Sequence, residues 1–502
     1  MMGQKTAQPK LYYSFSLDDA VPRNHLVRRL AAAVDFSFVY GLVRRYYSHT
    51  GQPSVDPVIL FKLSLLGYLF NITSERRLCE EASLNLAWRW FLGYELDEPI
   101  PDHSVLSKAR RRFGPVVYER FFRRIVELCE ARGLVQGDVL FMDSTLTRAD
   151  ASKESLRSRA LLQQLKAPKT FVAELWEANQ ETETTEHQPT REHKPRPDRG
   201  VVNVRAVSAT DPDAELVSQR GKPAMLAHKV HMIVDGGRRR IVTAVMVRPA
   251  SENDSHAVER LLDKHAMAVE QPARELVADS GYTSEPALKA CEKRGLLPTL
   301  ARRSTRNRHG GWDRDRFTYV PERDVFICPA GHEMRHSNEN LRFRQSVYRT
   351  VKGTCHRCPL KASCSPGRAE RSVTRRWDAG LWEDFELHLS SRRARRHLRR
   401  RKVVVEPVIA DSKVKHGLER ACFRGREKVL IQALLTASVL NIKQLIRRRP
   451  VPQAGAAALT RTSATIASTR PAFGSSAHLL RLRTCQSATC RQESTAPPLG
   501  RS

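Results

Sequence analysis

The chain predicts a mixed α/β fold behind an all-helical N-terminal region, and three observations carry that prediction. The apolar run Val139–Thr145 has the length and composition of a strand buried on both faces, and Asp143 interrupts it. Four further strand runs follow at Met225–Asp235, Arg240–Val247, Glu275–Ala278 and Leu296–Leu300, with helical patterns at Ser255–Ala268 and Glu285–Arg294 between them. Ahead of all of these, residues 1–130 read as helices.

In the N-terminal region, Asn24–Tyr47 repeats apolar residues at Leu26, Leu30, Val34, Phe38 and Leu42, one buried helix face. Ser54-Val-Asp-Pro opens a second helix with Pro57 in its first turn, and Val58–Phe70 is apolar enough to centre a small bundle. Glu75–Trp90 and His103–Phe113 add two more, with Asp102 or Ser104 as the cap of the last. That last helix carries Lys108, Arg110, Arg111 and Arg112, which suits either a helix-turn-helix type of DNA reader or a solvated basic face. Gly236-Gly237 then turns the first two later strands into a hairpin. Strand, hairpin, helix, strand, helix, strand is the order of a ribonuclease-H-like fold, with its mixed sheet and flanking helices.

The expected organisation is a helical DNA-binding domain over 1–130 and a first part of the catalytic core over 131–300, with a mobile insert at about 155–200. An Arg- and Cys-rich insert spans 301–390, C-terminal core helices 391–449, and a disordered tail without periodicity 450–502. Charge is lopsided: 85 Lys and Arg against 54 Asp and Glu leave +31, which points to a polyanionic partner, most simply double-stranded DNA. Met1–Lys10 has no apolar signal region, and Val58–Phe70 is too short to span a bilayer and contains Lys62. The expectation is a cytoplasmic protein without a membrane partner, whose clustered cysteines bind metal rather than form disulfides.

Asp143 and Asp279 each follow an apolar strand and precede a serine. In a sheet whose first and fourth strands are adjacent, the two carboxylates sit side by side, and a divalent cation relieves their repulsion. Few ligands, all oxygen, select Mg²⁺ or Mn²⁺. A third carboxylate would hold a second ion and complete a phosphodiester-cleaving pair. Glu406 fits, at the apparent start of a helical turn with Pro407 in its first position. Cys355-x-x-Cys358, Cys364 and Cys328 have spacings compatible with a structural Zn²⁺ site, with His332 and His356 as alternative ligands. His228 and His231, three apart on a strand, face opposite sides of the sheet and read as packing or DNA-contact residues, not a chelating pair. The run Arg392–Lys402 holds seven Arg and one Lys, a phosphate track next to Glu406.

On these motifs the chain resembles insertion-sequence transposases of the DDE type. The matching stretches are Phe141-Met-Asp-Ser-Thr, Thr210-Asp-Pro-Asp-Ala, His228-Lys-Val-His with Val234-Asp235, Val277-Ala-Asp-Ser-Gly-Tyr, and Val405-Glu-Pro-Val-Ile-Ala-Asp-Ser-Lys before Gly417 and Arg424-Gly425. The resemblance implies a catalytic triad of Asp143, Asp279 and Glu406 with two divalent ions, cleaving an element's ends and joining them to target DNA. It also implies DNA contacts from Lys413, from Lys402 where many relatives have Arg, and from Arg399 where they have Tyr. Ile409-Ala410-Asp411 departs from the relatives' pattern. Pairing of two DNA ends implies a homodimer or larger assembly, in a bacterial cytoplasm and on the nucleoid when bound. The alternatives are a same-fold nuclease without strand transfer, and an inactive transposase derivative or zinc-containing protein that only binds DNA.

Overall fold

The structure, a computed structural model, describes residue 2 and residues 14–447, apart from 49, 53, 160–200, 220, 222, 303–310, 342–343 and 367–369. Nearly all of the insert expected at 155–200, and all of the tail expected at 450–502, lie outside the described residues.

Six helices of the N-terminal region are α1 (Leu26–Ala33), α2 (Phe38–Val43), α3 (Pro57–Leu69), α4 (Glu75–Leu84), α5 (Leu86–Leu92) and α6 (Ser104–Ala131). Two single helices expected from periodicity are each broken in two. Asn24–Tyr47 breaks at Val34, which is extended, and the Asp35 carboxylate takes the Ser37 N–H at 2.9 Å. Glu75–Trp90 breaks at Asn85, which is extended and caps α5 by accepting from the Trp88 N–H at 3.1 Å. Apolar spacing continues across both breaks, so only the side chain competing for backbone N–H groups marks them. α6 does not stop at Phe113; it kinks at Gly114, whose φ of 62° suits glycine, and continues from Pro115 to Ala131.

The first sheet contains β1 (Val139–Arg148), β2 (Glu215–Val217), β3 (Met225–Asp235), β4 (Val242–Pro249), β5 (Glu275–Ala278) and β6 (Leu297–Leu300). Its order is β2-β3-β1-β5-β6, and β4 pairs with the remainder of the β3 edge. β3 runs antiparallel to β1, whereas β5 and β6 run parallel to it, so the sheet is mixed. Alternation along the strands divides the core between two faces. Phe141, Met232, Val234 and Val277 join the helices of the N-terminal region. Leu140, Met142, Ile233, Leu276 and Ala278 pack with α7 (Val258–Ala268) and α8 (Glu285–Glu292).

A second sheet, entirely antiparallel, follows: β7 (Thr318–Val320), β8 (Val325–Ile327), β9 (Glu333–Asn340), β10 (Gln345–Thr350) and β11 (Ser372–Arg376), in the order β11-β10-β9-β8-β7. Its own small core is Phe317, Phe326, Met334, Tyr348 and Val373. Three helices return the chain to the first sheet: α9 (Ala379–Ser390), α10 (Arg392–His416) and α11 (Arg426–Arg447). α11 is long and apolar enough to cross a membrane, but 83% of its apolar window is buried. It is a core helix: Ile431, Leu434, Leu435, Val439 and Ile442 share one cluster with α3, α6 and a face of the sheet. Asn441 ties it to β4, accepting from the Val242 N–H at 2.9 Å and donating to the Val242 carbonyl at 2.8 Å.

In the β3–β4 turn a side chain on Gly236 would stand 2.6 Å from the Val139 carbonyl oxygen and 2.9 Å from the Phe141 ring. Gly236→Ala must therefore displace the start of β1. It is expected to cost about 1–3 kcal/mol, read from the urea midpoint, whereas Gly41→Ala, with nothing within 4 Å, is expected to leave the midpoint unchanged.

Candidate active site

The acidic centre is set by strand register. β1 and β5 pair in parallel with Phe141 level with Val277; Asp143 lies two residues further along β1, and Asp279 directly follows the last residue of β5. The face that carries Phe141 and Val277 is the one covered by Val404, Val405 and Val408 of α10. From α10 the Arg401 guanidinium donates to Asp143 Oδ2, and its other nitrogen lies 3.9 Å from Glu406 Oε1. Asp143 therefore sits within electrostatic reach of both Asp279 and Glu406. Burial pushes its carboxyl up to about 6, despite the pull of Arg401 and of the Ser144 N–H at 2.8 Å, and the charges of Asp279 and Glu406 add to the rise. Glu406 is more open, with 53% of its side chain exposed.

Glu406 and Pro407 lie inside α10, not at the start of a helical turn. A proline there removes one backbone donor, and packing of Val404, Val405 and Val408 on both sides of it keeps the helix continuous. Among the described residues, no group of three or more His, Cys, Asp or Glu is arranged to hold a metal ion. Within the acidic centre, it is a guanidinium that faces Asp143 and Glu406.

Other groups close the centre from behind. Asp279 Oδ1 accepts the Gly281 N–H at 3.0 Å. A Cβ on Gly281 would lie 2.7 Å from Asp254 Oδ2 and 3.1 Å from Asp279 Oδ1. Asp254 opens the turn before α7, and its Oδ1 accepts from Ser144 Oγ at 3.0 Å and faces Lys229 Nζ at 3.2 Å. Tyr282, fully buried, bonds His231 Nδ1 at 2.8 Å. Burial and the charges of Asp254 and Asp143 hold its phenol well above the ordinary range.

Arg399 and Lys402 are exposed, and Lys413 faces Glu419 at 3.4 Å. With Glu406 they recur at three-, four- and seven-residue intervals, which places all four along one stripe of α10. His228 and His231 are both buried and touch no outer surface, so the DNA-contact reading of either is not met in this conformation. His228 Nε2 bonds Asp211 Oδ2 at 2.9 Å; the other Asp211 oxygen accepts the Gly425 N–H at 3.1 Å, and Asp213 accepts the Arg426 N–H at 3.0 Å. Asp211 and His228, both buried, thus join Gly425, and Asp213 joins Arg426, at the start of α11, while Arg424 turns outward to Asp150. Burying a carboxylate without such partners is costly.

Cys328, Cys355, Cys358 and Cys364 are free thiols that line one small apolar cavity, with His332 at its edge. Cys328 Sγ faces the His332 N–H at 3.4 Å, and Cys355 Sγ faces the Arg371 N–H at 3.5 Å. Burial raises the Cys364 thiol, and the other three cysteines add to that rise. His356 does not line the cavity.

Reading the sequence missed three contributors to the acidic centre. Asp254 lies in Glu252-Asn-Asp-Ser, where capping explains the polar residues, and Asn253 does cap the turn. Arg401 is one of seven arginines in its run, and nothing in the spacing singles it out. Lys229 sits between two histidines that drew attention for metal binding.

Comparison with known proteins follows the same division of the chain. Residues 15–112 match the model of a transposase domain (DUF772), and residues 327–446 match that of a transposase DDE domain. The second match spans the four cysteines, Arg401, Glu406 and Lys413; Asp143 and Asp279 lie outside both. No curated protein matches the chain. Among solved structures, it is similar to the piggyBac transposase synaptic complex with hairpin DNA, determined by cryo-electron microscopy. Identity is 11% over 83% of this chain and 72% of that one, with a TM-score of 0.32, too loose a likeness to bear on the argument. The two domain matches, over residues 15–112 and 327–446, support a DDE-type transposase.

Proposed function

We propose that this DNA transposase cleaves the ends of an insertion sequence and transfers the freed strands to target DNA, with Asp143, Asp279 and Glu406 as its catalytic carboxylates. The observation that supports the reading is the parallel pairing of β1 and β5, which ends with Phe141 opposite Val277, two residues before Asp143 and Asp279 respectively. The strand order around β1 supports the reading of a ribonuclease-H-like core, for which residues 1–130 would be the DNA-binding companion.

The donor chemistry supports a divalent cation: carboxylate oxygens suit Mg²⁺ or Mn²⁺ better than Zn²⁺, although in this conformation Arg401, and not a three-carboxylate cage, faces Asp143 and Glu406. When bound, a pair of such ions supplies acidity to an attacking water or hydroxyl and neutralises the departing oxygen. In this reading Asp143, midway along β1, and Asp279, just past the end of β5, supply two ligands, and Glu406, on the exposed side of α10, supplies the third. Arg399, Lys402 and Lys413 flank Glu406 on the same stripe and hold the DNA backbone beside it. In the first reaction, water attacks the phosphodiester at the element's end and a 3′-hydroxyl leaves. In the second, that 3′-hydroxyl attacks a target phosphodiester and displaces its 3′ oxygen. Both ends must be held together, which calls for at least two copies of the chain on double-stranded DNA.

Alanine at Asp143, Asp279 or Glu406 is expected to lower cleavage of a labelled element-end duplex by on the order of 10³-fold, with gel-shift affinity for the same duplex retained. Unchanged strand transfer by Asp279→Ala would refute the assignment. Cleavage without joining in the native chain would favour the same-fold nuclease.

Protonation competes with the cation at Asp143. Its folded carboxyl ionises near pH 6, so Mn²⁺ binding is expected to strengthen as pH rises from 5 to 7 and then level off. Arg401 stabilises the ionised form, so Arg401→Ala should move this transition to higher pH. Titration of Mn²⁺ by its electron paramagnetic resonance signal reads both.

For the cysteine cavity, we propose a structural Zn²⁺ held by Cys328, Cys355, Cys358 and Cys364. Four sulfurs on one cavity, two of them facing backbone N–H groups, suit a thiolate-bound ion. Purified protein is expected to contain one zinc per chain and to lose thermal stability on chelation. Zinc well below one per chain, with melting unaffected by chelator, would reject it.

A further inference from the structure

Asp254 is absent from the proposed triad and from both matched segments, yet it is built into the same centre. Its two oxygens face different ways. Oδ1 is engaged by Ser144 Oγ at 3.0 Å and Lys229 Nζ at 3.2 Å, and Ser144 directly follows Asp143. Oδ2 points to the backbone that follows Asp279. Both Asp254 Oδ2 and Asp279 Oδ1 lie within 3.1 Å of the point that a Gly281 Cβ would occupy. A glycine is what lets the two carboxylates approach, since any other residue would push its Cβ into Asp254. Lys229 is itself fixed, donating to the Glu252 carbonyl at 2.6 Å from the strand β3 side.

A fold with no use for a carboxylate there could place a neutral side chain beside Asp279 at lower electrostatic cost. Instead the chain keeps Asp254 only 22% exposed and orients it with a hydroxyl and an ammonium. We propose that Asp254 is a positioning residue of the acidic centre: anchored through Oδ1 to the Asp143 strand, it turns Oδ2 and its charge toward Asp279 and strengthens that carboxylate's hold on a divalent cation. This rests on the reading of Asp143 and Asp279 as cation ligands. Carboxylates that support ligands in this way change metal affinity without touching the reacting atoms.

The test is titration of the full-length chain with Mn²⁺ alone, following free Mn²⁺ by electron paramagnetic resonance, for the native chain and for Asp254→Asn, Asp254→Glu, Asp143→Asn and Asp279→Asn. Asp254→Asn keeps an acceptor for Ser144 and removes the charge; it is expected to weaken Mn²⁺ binding about tenfold, with metal-free melting within a few degrees of the native chain. Asp254→Glu restores the charge and should recover most of the affinity. If the Asn and Glu variants bind equally weakly, the effect is structural and the inference fails. If Asp254→Asn binds Mn²⁺ as the native chain does while Asp143→Asn and Asp279→Asn do not, Asp254 has no such role and the triad reading stands. If the Asp143 and Asp279 variants also bind normally, the cation reading itself falls and this inference with it.

Discussion

Two like-charged carboxylates, one on β1 and one just past the end of its parallel neighbour β5, are the constraint around which this site is arranged. Adjacent strands lie about 4.8 Å apart, and two unit charges at that separation repel by roughly 3 kcal/mol at an effective dielectric near 20. The fold does not avoid this repulsion; it distributes it. Asp143 takes a backbone N–H from Ser144 and a guanidinium from Arg401, and Asp279 takes a backbone N–H from Gly281. Even so, burial leaves the Asp143 carboxyl at about 6, well above an ordinary aspartate. A site so charged and so enclosed is matched to a cationic ligand more than to a stable resting core.

The helices that cross this face are themselves held by buried polar contacts. Glu275, wholly buried at the start of β5, receives Arg393 at 3.0 Å and His397 at 2.8 Å, both from α10, and Thr299 from β6 at 2.6 Å. Nine residues beyond His397, α10 presents Glu406. At the other end, Asp211, His228 and Gly425 lock the entry to α11, and Asn441 bonds both backbone groups of Val242. These contacts lie away from Asp143, Asp279 and Glu406, and their effect is to fix where α10 meets the sheet. An active-site constellation needs that kind of support, because small displacements of a ligand carboxylate remove its function.

How much of this could be read from the residues depends on whether the signal is periodic. The strands Met225–Asp235 and Glu275–Ala278 coincide with their apolar runs, and the approach of Asp279 to Asp143 follows once β1 and β5 are neighbours. Breaks at Val34 and Asn85 escaped because the apolar spacing runs through them. The second sheet escaped because its strands are short and its longest, Glu333–Asn340, is mostly exposed and polar. Asp254 escaped for a different reason: a carboxylate after Asn253 and before a helix has a sufficient local explanation. Only the approach of Gly281, twenty-seven residues later in the chain, gives it a second one.

Arg401 shows why net charge alone could not locate the site. Seven arginines and a lysine fill Arg392–Lys402, and most turn outward, as a solvated or DNA-facing helix should. Arg401 is instead 17% exposed, on the side of α10 that faces the sheet. A guanidinium can address two carboxylates at once through different nitrogens, which a lysine's single ammonium does less well. That geometry lets it neutralise Asp143 while reaching toward Glu406, so the centre is held together by an internal cation. On the proposed reading, a divalent ion would have to compete with this arginine for the same oxygens, so the affinity would be a difference between two cations, and the side chain that sets it comes from the same helix as Glu406.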